Sequence, residues 1–200
     1  MHMIHLVLEV FMDNQRIHTT AAAHRRKKQI EDCLYENLLH LPYVSISIAD
    51  ICRQVGISRK AFYNYFRDKD DCFNAIIDRA LHDSVLHATE MTPDNATPLE
   101  SAIILLDYWK EQKPLFDILM RNNLFHVIIL RNIHYATTED KSILTLLSTP
   151  DLQADADILA CYTSCQMTLT LQWYMRGFDT PTEEMAKKFL RLLRSPMIQE

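Results

Sequence analysis

The stretch VGISRKAFYNYFRDKDDCF, residues 55–73, gathers side chains whose types suit contact with a polyanion. Arg59 and Lys60 can donate to guanine, Asn64 can pair with adenine, and the hydroxyls of Tyr63 and Tyr65 can reach phosphate oxygens. Upstream, Arg25, Arg26, Lys27 and Lys28 run consecutively. The spacing predicts that these four open a helix, where the macrodipole disfavours cations, so phosphate contact explains their placement. Downstream, Asp68 is a helix N-cap with Lys69 in the first turn behind it. An ammonium and free backbone amides converge there on what an anion needs. The plainer reading of residues 59–66 is a solvated amphipathic helix whose aromatics are all core. That reading accounts for the aromatics but not for the concentration of cations.

These side chains need a frame. Gly56 is one of only two glycines in the 200-residue chain. Before it, Ser47 caps a short helix with Asp50 three positions on, and Ile48, Ile51, Cys52 and Val55 share one apolar face. Gly56 supplies the left-handed backbone that ends a helix at a sharp turn. Ile57 plugs the corner and Ser58 caps a second short helix. Ala61, Phe62 and Phe66 pack inward with Tyr65 adjoining, leaving Arg59, Lys60, Tyr63 and Asn64 outside. Two short helices, a glycine turn and an apolar plug describe a helix-turn-helix.

Charge is distributed accordingly. The chain carries a net −5, yet residues 13–69 sum to +4 and residues 70–200 to −8. The basic part is where a polyanion docks. Turn glycines are scarce and no segment alternates with period two, so an all-α fold of about nine helices is expected. Those helices fall near 24–41, 48–55, 59–65, 69–90, 98–112, 114–122, 123–137, 152–176 and 182–194, with prolines at the breaks. No apolar run is long enough to suggest a membrane-spanning helix. MHMIHLVLEVF at the start lacks the basic n-region of a signal peptide. Met12 is an alternative native start, so residues 1–23 are taken as an extension. The five cysteines form no CxxC pair and have no histidine beside them to complete a metal site. They are expected to be small buried or half-buried thiols in a reducing cytoplasm. No GxSxG, HExxH or phosphate-binding glycine loop occurs, so neither an enzyme nor a bound cofactor or metal is expected.

Residues 24–80, and above all SIADICRQVGISRKAFYNYFRDKDDCFNAII, closely resemble the DNA-binding head of the TetR family of bacterial transcription regulators. Ser47, the Gly56-Ile57-Ser58 turn, the Phe62 to Phe66 aromatics and Lys69-Asp70 stand in the family's order and spacing. Three departures are visible. Lys60 replaces a small residue, Cys52 and Val55 replace alanines, and Asp70 replaces the usual glutamate. The resemblance implies a head at 24–69 on a helical effector-binding and dimerisation domain at 70–200. It implies a homodimer on double-stranded palindromic operator DNA, acting as a repressor released by a small-molecule effector. The rival reading keeps the head and has the body bind a partner protein instead.

DNA contact is expected from Ser47, Arg59, Lys60, Tyr63, Asn64, Tyr65 and Lys69, supported by Arg25, Arg26, Lys27 and Lys28. In the body, the stripes on helix 182–194 are too wide for a lone surface helix, so Met185, Phe189, Leu192 and Leu193 are expected at a dimer interface. Trp109, Phe116, Phe125, His126, Tyr162 and Gln166 are expected to line a ligand cavity suited to an apolar or planar effector.

Overall fold

The computed structural model describes residues 2–137 and 156–193, with side chains described for 21–135 and 157–192. All its regular elements are helical. They are α1 (His2–His40), a 3-10 turn (Tyr43–Ser45), α2 (Ile48–Val55), α3 (Arg59–Tyr63), α4 (Lys69–Met91), α5 (Pro98–Glu111), α6 (Lys113–Arg121), α7 (Phe125–Thr137), α8 (Ala156–Met175) and α9 (Thr182–Leu193). The expected helix start at 152 and the end at 194 lie outside the described residues.

One boundary differs from expectation by many turns. The helix predicted to begin at 24 already runs from His2, because no glycine or proline lies between Met1 and Leu41 to stop it. Arg25 to Lys28 therefore sit inside α1, far from its N-terminus, and the macrodipole explanation for their placement falls away.

The chain divides into two compact units, Met1–Ile76 and Ile77–Glu200. In the first, Ile30, Leu34 and Leu38 recur along α1 at successive turns, each fully buried. Ile46, Ile51, Cys52, Phe62, Phe66, Cys72 and Phe73 are buried in the same unit. The Phe62 ring contacts Phe66 at 5.7 Å between centroids, a buried aromatic pair of the kind that dominates small cores.

In the second unit α5 packs on α9 and α7 on α8. Ala102 and Leu106 of α5, Trp173 of α8, and Met185 and Ala186 of α9 form one buried cluster. The Trp173 indole N–H donates to the Thr180 carbonyl at 2.9 Å, which satisfies its only polar atom. A bidentate ion pair, Arg131 to Asp78 at 2.6 Å for both bonds, joins α7 to α4.

The two glycines do one job twice. Gly56 (φ 72°) and Gly177 (φ 70°) both end a helix in left-handed backbone. Each is followed by a long helix-closing bond, Ile57 N–H to Cys52 O and Phe178 N–H to Trp173 O, both 2.9 Å. A Cβ at either glycine would meet no atom within 4 Å. The requirement is therefore the backbone angle and not room. Asn123 (φ 56°) closes α6 the same way, with Leu124 N–H on Leu119 O at 2.8 Å.

Candidate nucleic-acid interface

The site is built from α2 upward. Ser47 and Asp50 form a complete capping box: the Ser47 hydroxyl accepts from Asp50 N–H at 3.2 Å, and Ser47 N–H donates to the Asp50 carboxylate at 3.3 Å. The hydroxyl also donates to that carboxylate at 2.5 Å. These bonds from Ser47, with help from Arg53, hold the Asp50 carboxyl below the usual range. Ser47 is exposed, but its hydroxyl is committed to the cap. Its part is to present the start of α2.

Gly56 then turns the chain, and Ser58 caps α3 by accepting from Ala61 N–H at 3.1 Å. Phe62 (0% exposed) anchors the helix from below, while Tyr63 is 55% exposed above it. Arg59, Lys60 and Asn64 are exposed and Tyr65 is half-buried. Asn64 is the C-cap, so α3 ends a little sooner than the expected 65.

The cations are not equivalent. Arg53 pairs with Asp50 at 2.8 Å and Arg67 with Asp71 at 3.1 Å. Arg59 and Lys60 are in no ion pair among the described residues. The unneutralised charge is thus concentrated at the exposed start of α3. Arg25, Arg26, Lys27 and Lys28 are all exposed, with the Lys27 ammonium 5.6 Å from the Phe66 ring. Lys69 is half-buried, and its ammonium donates to the carbonyls of Tyr43 and Ile46.

Residues 42–76 match the family model described as bacterial regulatory proteins, tetR family. The chain is 24% identical over 163 residues to the uncharacterized HTH-type transcriptional regulator YxbF of Bacillus subtilis (strain 168). That alignment covers 76% of this chain but only 40% of the relative. Among solved structures, a putative TetR-family regulator from Syntrophomonas wolfei aligns with a TM-score of 0.56 at 16% identity, covering 86% of this chain and 94% of that one. A TetR-family regulator from Streptomyces coelicolor aligns with a TM-score of 0.50 at 20% identity, covering 83% and 77%. The class is therefore an all-α, helix-turn-helix DNA-binding protein. The chain is identified as a TetR-family transcriptional regulator, a class of binding proteins and not of enzymes.

The expectations for the body need correction. Met185 and Phe189 are 0% and 2% exposed within their own unit, so neither side chain is available to a partner. The wide stripe on α9 is used up against α5 and α8, with Phe189 on the Tyr162 ring at 5.2 Å. Leu192 is 45% exposed, and the Leu193 side chain lies outside the described residues.

Nor do the six pocket residues converge. Trp109 and Phe116 are fully buried and pack on each other at 6.0 Å. Phe125 is half-buried and His126 exposed. Gln166 is buried with its amide nitrogen unpaired. An open groove of about 600 Å³ lies instead between the start of α5 and α9, lined by Leu99, Lys187, Leu190 and Arg191 among others. The cysteines also divide: Cys52 and Cys72 are buried and Cys33 half-buried, but Cys161 and Cys165 are exposed on α8.

Sequence reasoning missed two features. Tyr43 holds the approach to α2, a contact with α4 that no local pattern marks. The exposed face of α8 is also missed. Ile158, Cys161, Cys165, Thr168, Gln172 and Met175 alternate in steps of three and four, all exposed and none charged. That spacing was available as a signal.

Proposed function

We propose that the chain acts in the cytoplasm as a homodimeric repressor on a palindromic operator, released when a small molecule binds residues 70–200. The observation that carries DNA contact is the pair Arg59 and Lys60, exposed and unneutralised at the start of a helix whose underside is locked by Phe62. Arg59, Lys60 and Asn64 read bases, Tyr63 and Tyr65 reach phosphates, and Arg25 to Lys28 add charge along α1. A head at 24–69 would place one such helix per half-site.

The dimer reading moves from α9 to the exposed stripe of α8. A two-fold interface brings a surface against itself, so a charge at its centre would face its own copy. The α8 stripe has none, in a chain with net −5. Antiparallel pairing about its midpoint sets Cys165 opposite Thr168, Cys161 opposite Gln172 and Ile158 opposite Met175 of the second copy. The flanking Asp157 and Arg176 then meet as opposite charges. Leu192 lies on the neighbouring helix.

The effector reading is supported by the amide nitrogens of Asn132 on α7 and Gln166 on α8, both buried without a hydrogen-bond partner. Two unpaired buried donors favour a ligand with acceptor oxygens, because each costs about 1–3 kcal/mol unmet.

The experiment is fluorescence anisotropy of the full chain on duplex DNA across a salt series. Arg59→Ala with Lys60→Ala is expected to flatten the slope of log K against log salt by about two units. A slope equal to wild type rejects the assignment of α3 to DNA.

A further inference from the structure

Lys69 stands where the sequence places a phosphate contact, yet its ammonium is already surrounded. It donates to the Tyr43 carbonyl at 2.6 Å and the Ile46 carbonyl at 2.7 Å. It also lies 4.0 Å from the centre of the Tyr43 ring. An ammonium has three N–H bonds. Two are on carbonyls, and the face of an aromatic ring covers much of the rest. Desolvation lowers the Lys69 pKa from its ordinary value, with Asp70 pulling the other way. That is the environment of an inward-turned lysine.

The opposite end of the same contact is closed too. The Tyr43 hydroxyl donates to the Asp70 carboxylate in a short hydrogen bond. The Tyr43 ring packs on Phe73 at 5.5 Å, and Ile46 is 3% exposed. Residues 43–46 are therefore clasped onto the first turn of α4 by a cation, a ring and a carboxylate. Ser47, the cap of α2, is the next residue. Where the clasp sits, α2 must start.

We propose that Lys69 is a positioning residue of the DNA-binding head: with Tyr43 and Asp70 it fixes the start of α2 against the first turn of α4, instead of gripping a phosphate itself. This rests on the DNA-binding reading above. It gives Asp70 a role, since the shorter carboxylate there is the one that meets the Tyr43 hydroxyl. It also explains a tyrosine at 43, where a hydrophobic residue would serve burial alone.

The test measures the full chain on a mixed-sequence duplex across a salt series, with helicity and melting followed for each variant. Lys69→Met keeps the stem and removes the charge. Tyr43→Phe removes only the hydroxyl and changes no charge. Losing a hydrogen bond to a charged group corresponds to about a tenfold effect. Lys69→Met is therefore expected to bind about tenfold more weakly at wild-type salt slope. Tyr43→Phe is expected to weaken binding in the same sense, also at wild-type slope.

A slope reduced by about one unit in Lys69→Met means a released phosphate contact and overturns the proposal. Wild-type affinity in both variants, with only melting lowered, overturns it as well, because the clasp would then serve stability alone. If Lys69→Met does not fold, Tyr43→Phe decides: weaker binding at unchanged slope upholds the proposal and unchanged affinity overturns it. A wild-type chain with no salt-dependent binding removes the DNA reading itself, and this proposal with it.

Discussion

The outer faces of α3 and α8 are built on opposite rules. On α3 the exposed positions carry Arg59 and Lys60 without ion-pair partners among the described residues. On α8 six exposed positions in succession carry no charge. Both faces are supported from beneath by fully buried aromatics, Phe62 under α3 and Trp173 under α8. What differs is the partner each can accept. An unpaired cation in water gains most from a polyanion, through release of the counterions around it. A neutral stripe gains nothing there, and is the kind of surface that can meet a copy of itself without like charges colliding.

The supports give the sharpest way to break that comparison. Phe62→Ala removes a whole buried ring from the smaller unit and is expected to cost about 3–5 kcal/mol. Calorimetry should show the loss, and salt-dependent DNA binding should go with it. Oligomeric state should stay as in wild type, because α8 belongs to the other unit. Loss of the dimer in Phe62→Ala would show that the two faces are not independent.

Next in size is a charge placed on the neutral stripe. Thr168→Glu sets two like charges close to the proposed two-fold axis, where such pairs cost several kcal/mol. Sedimentation is expected to show monomers at concentrations where the wild type is dimeric. The register has its own check. Thr168→Cys is expected to form a disulfide-linked dimer with Cys165 of the second copy under mild oxidation, visible on a non-reducing gel. Cross-linking no greater than in wild type rejects the pairing of 165 with 168.

The glycines compare the two units at smaller scale. Gly56→Ala and Gly177→Ala each force left-handed backbone on a residue with a Cβ, at a cost of about 1–2 kcal/mol. Neither creates a clash, since nothing lies within 4 Å of the added atom. Equal destabilisation is therefore expected from both. Only Gly56→Ala should weaken DNA binding beyond its effect on melting, because Gly56 alone sets the angle between α2 and α3.

How far the fold could be read from residues follows the same line between local and tertiary causes. The helix-turn-helix was readable because its causes are local: Ser47 and Ser58 caps, the Gly56 turn, and Phe62 and Phe66 at helical spacing. The start of α1 was not, because nothing in residues 1–23 breaks a helix and a cation cluster is no start signal. Trp109 and Phe116 have the same composition whether they line a cavity or fill a core, and only packing decides. Met185 and Phe189 make a stripe that a partner or α5 could equally cover. Lys69 was placed correctly on the chain but given the wrong direction, because Tyr43 meets it across a gap of 26 residues.

The smallest expected effect concerns acid. Asp71 accepts from the Arg67 backbone N–H at 3.0 Å and pairs with its guanidinium at 3.1 Å. The Arg67 side-chain bond first, and then the backbone bond, hold the Asp71 carboxyl below its ordinary value of 3.8. A carboxyl depressed in the fold contributes stability that is fully present above its unfolded pKa and is lost as pH falls through the folded one. Between neutrality and about pH 5 this pair should therefore leave stability flat, with the loss appearing below pH 4. Arg67 is 84% exposed at its side chain, so solvent screening keeps the contribution well under about 1 kcal/mol. Asp71→Asn is expected to lower the melting point slightly at pH 7 and to remove part of the acid sensitivity, because the amide cannot titrate. The comparison variant is Asp117→Asn, in the other unit. Its carboxylate, also held low, accepts from Lys113 at 2.8 Å and from the Tyr174 hydroxyl at 2.5 Å. Differential scanning measurements at pH 3.5 and pH 7 separate the two. Acid sensitivity of DNA binding that follows Asp71 but not Asp117 would place the Arg67–Asp71 pair, and with it the first turn of α4, in the working surface of the head.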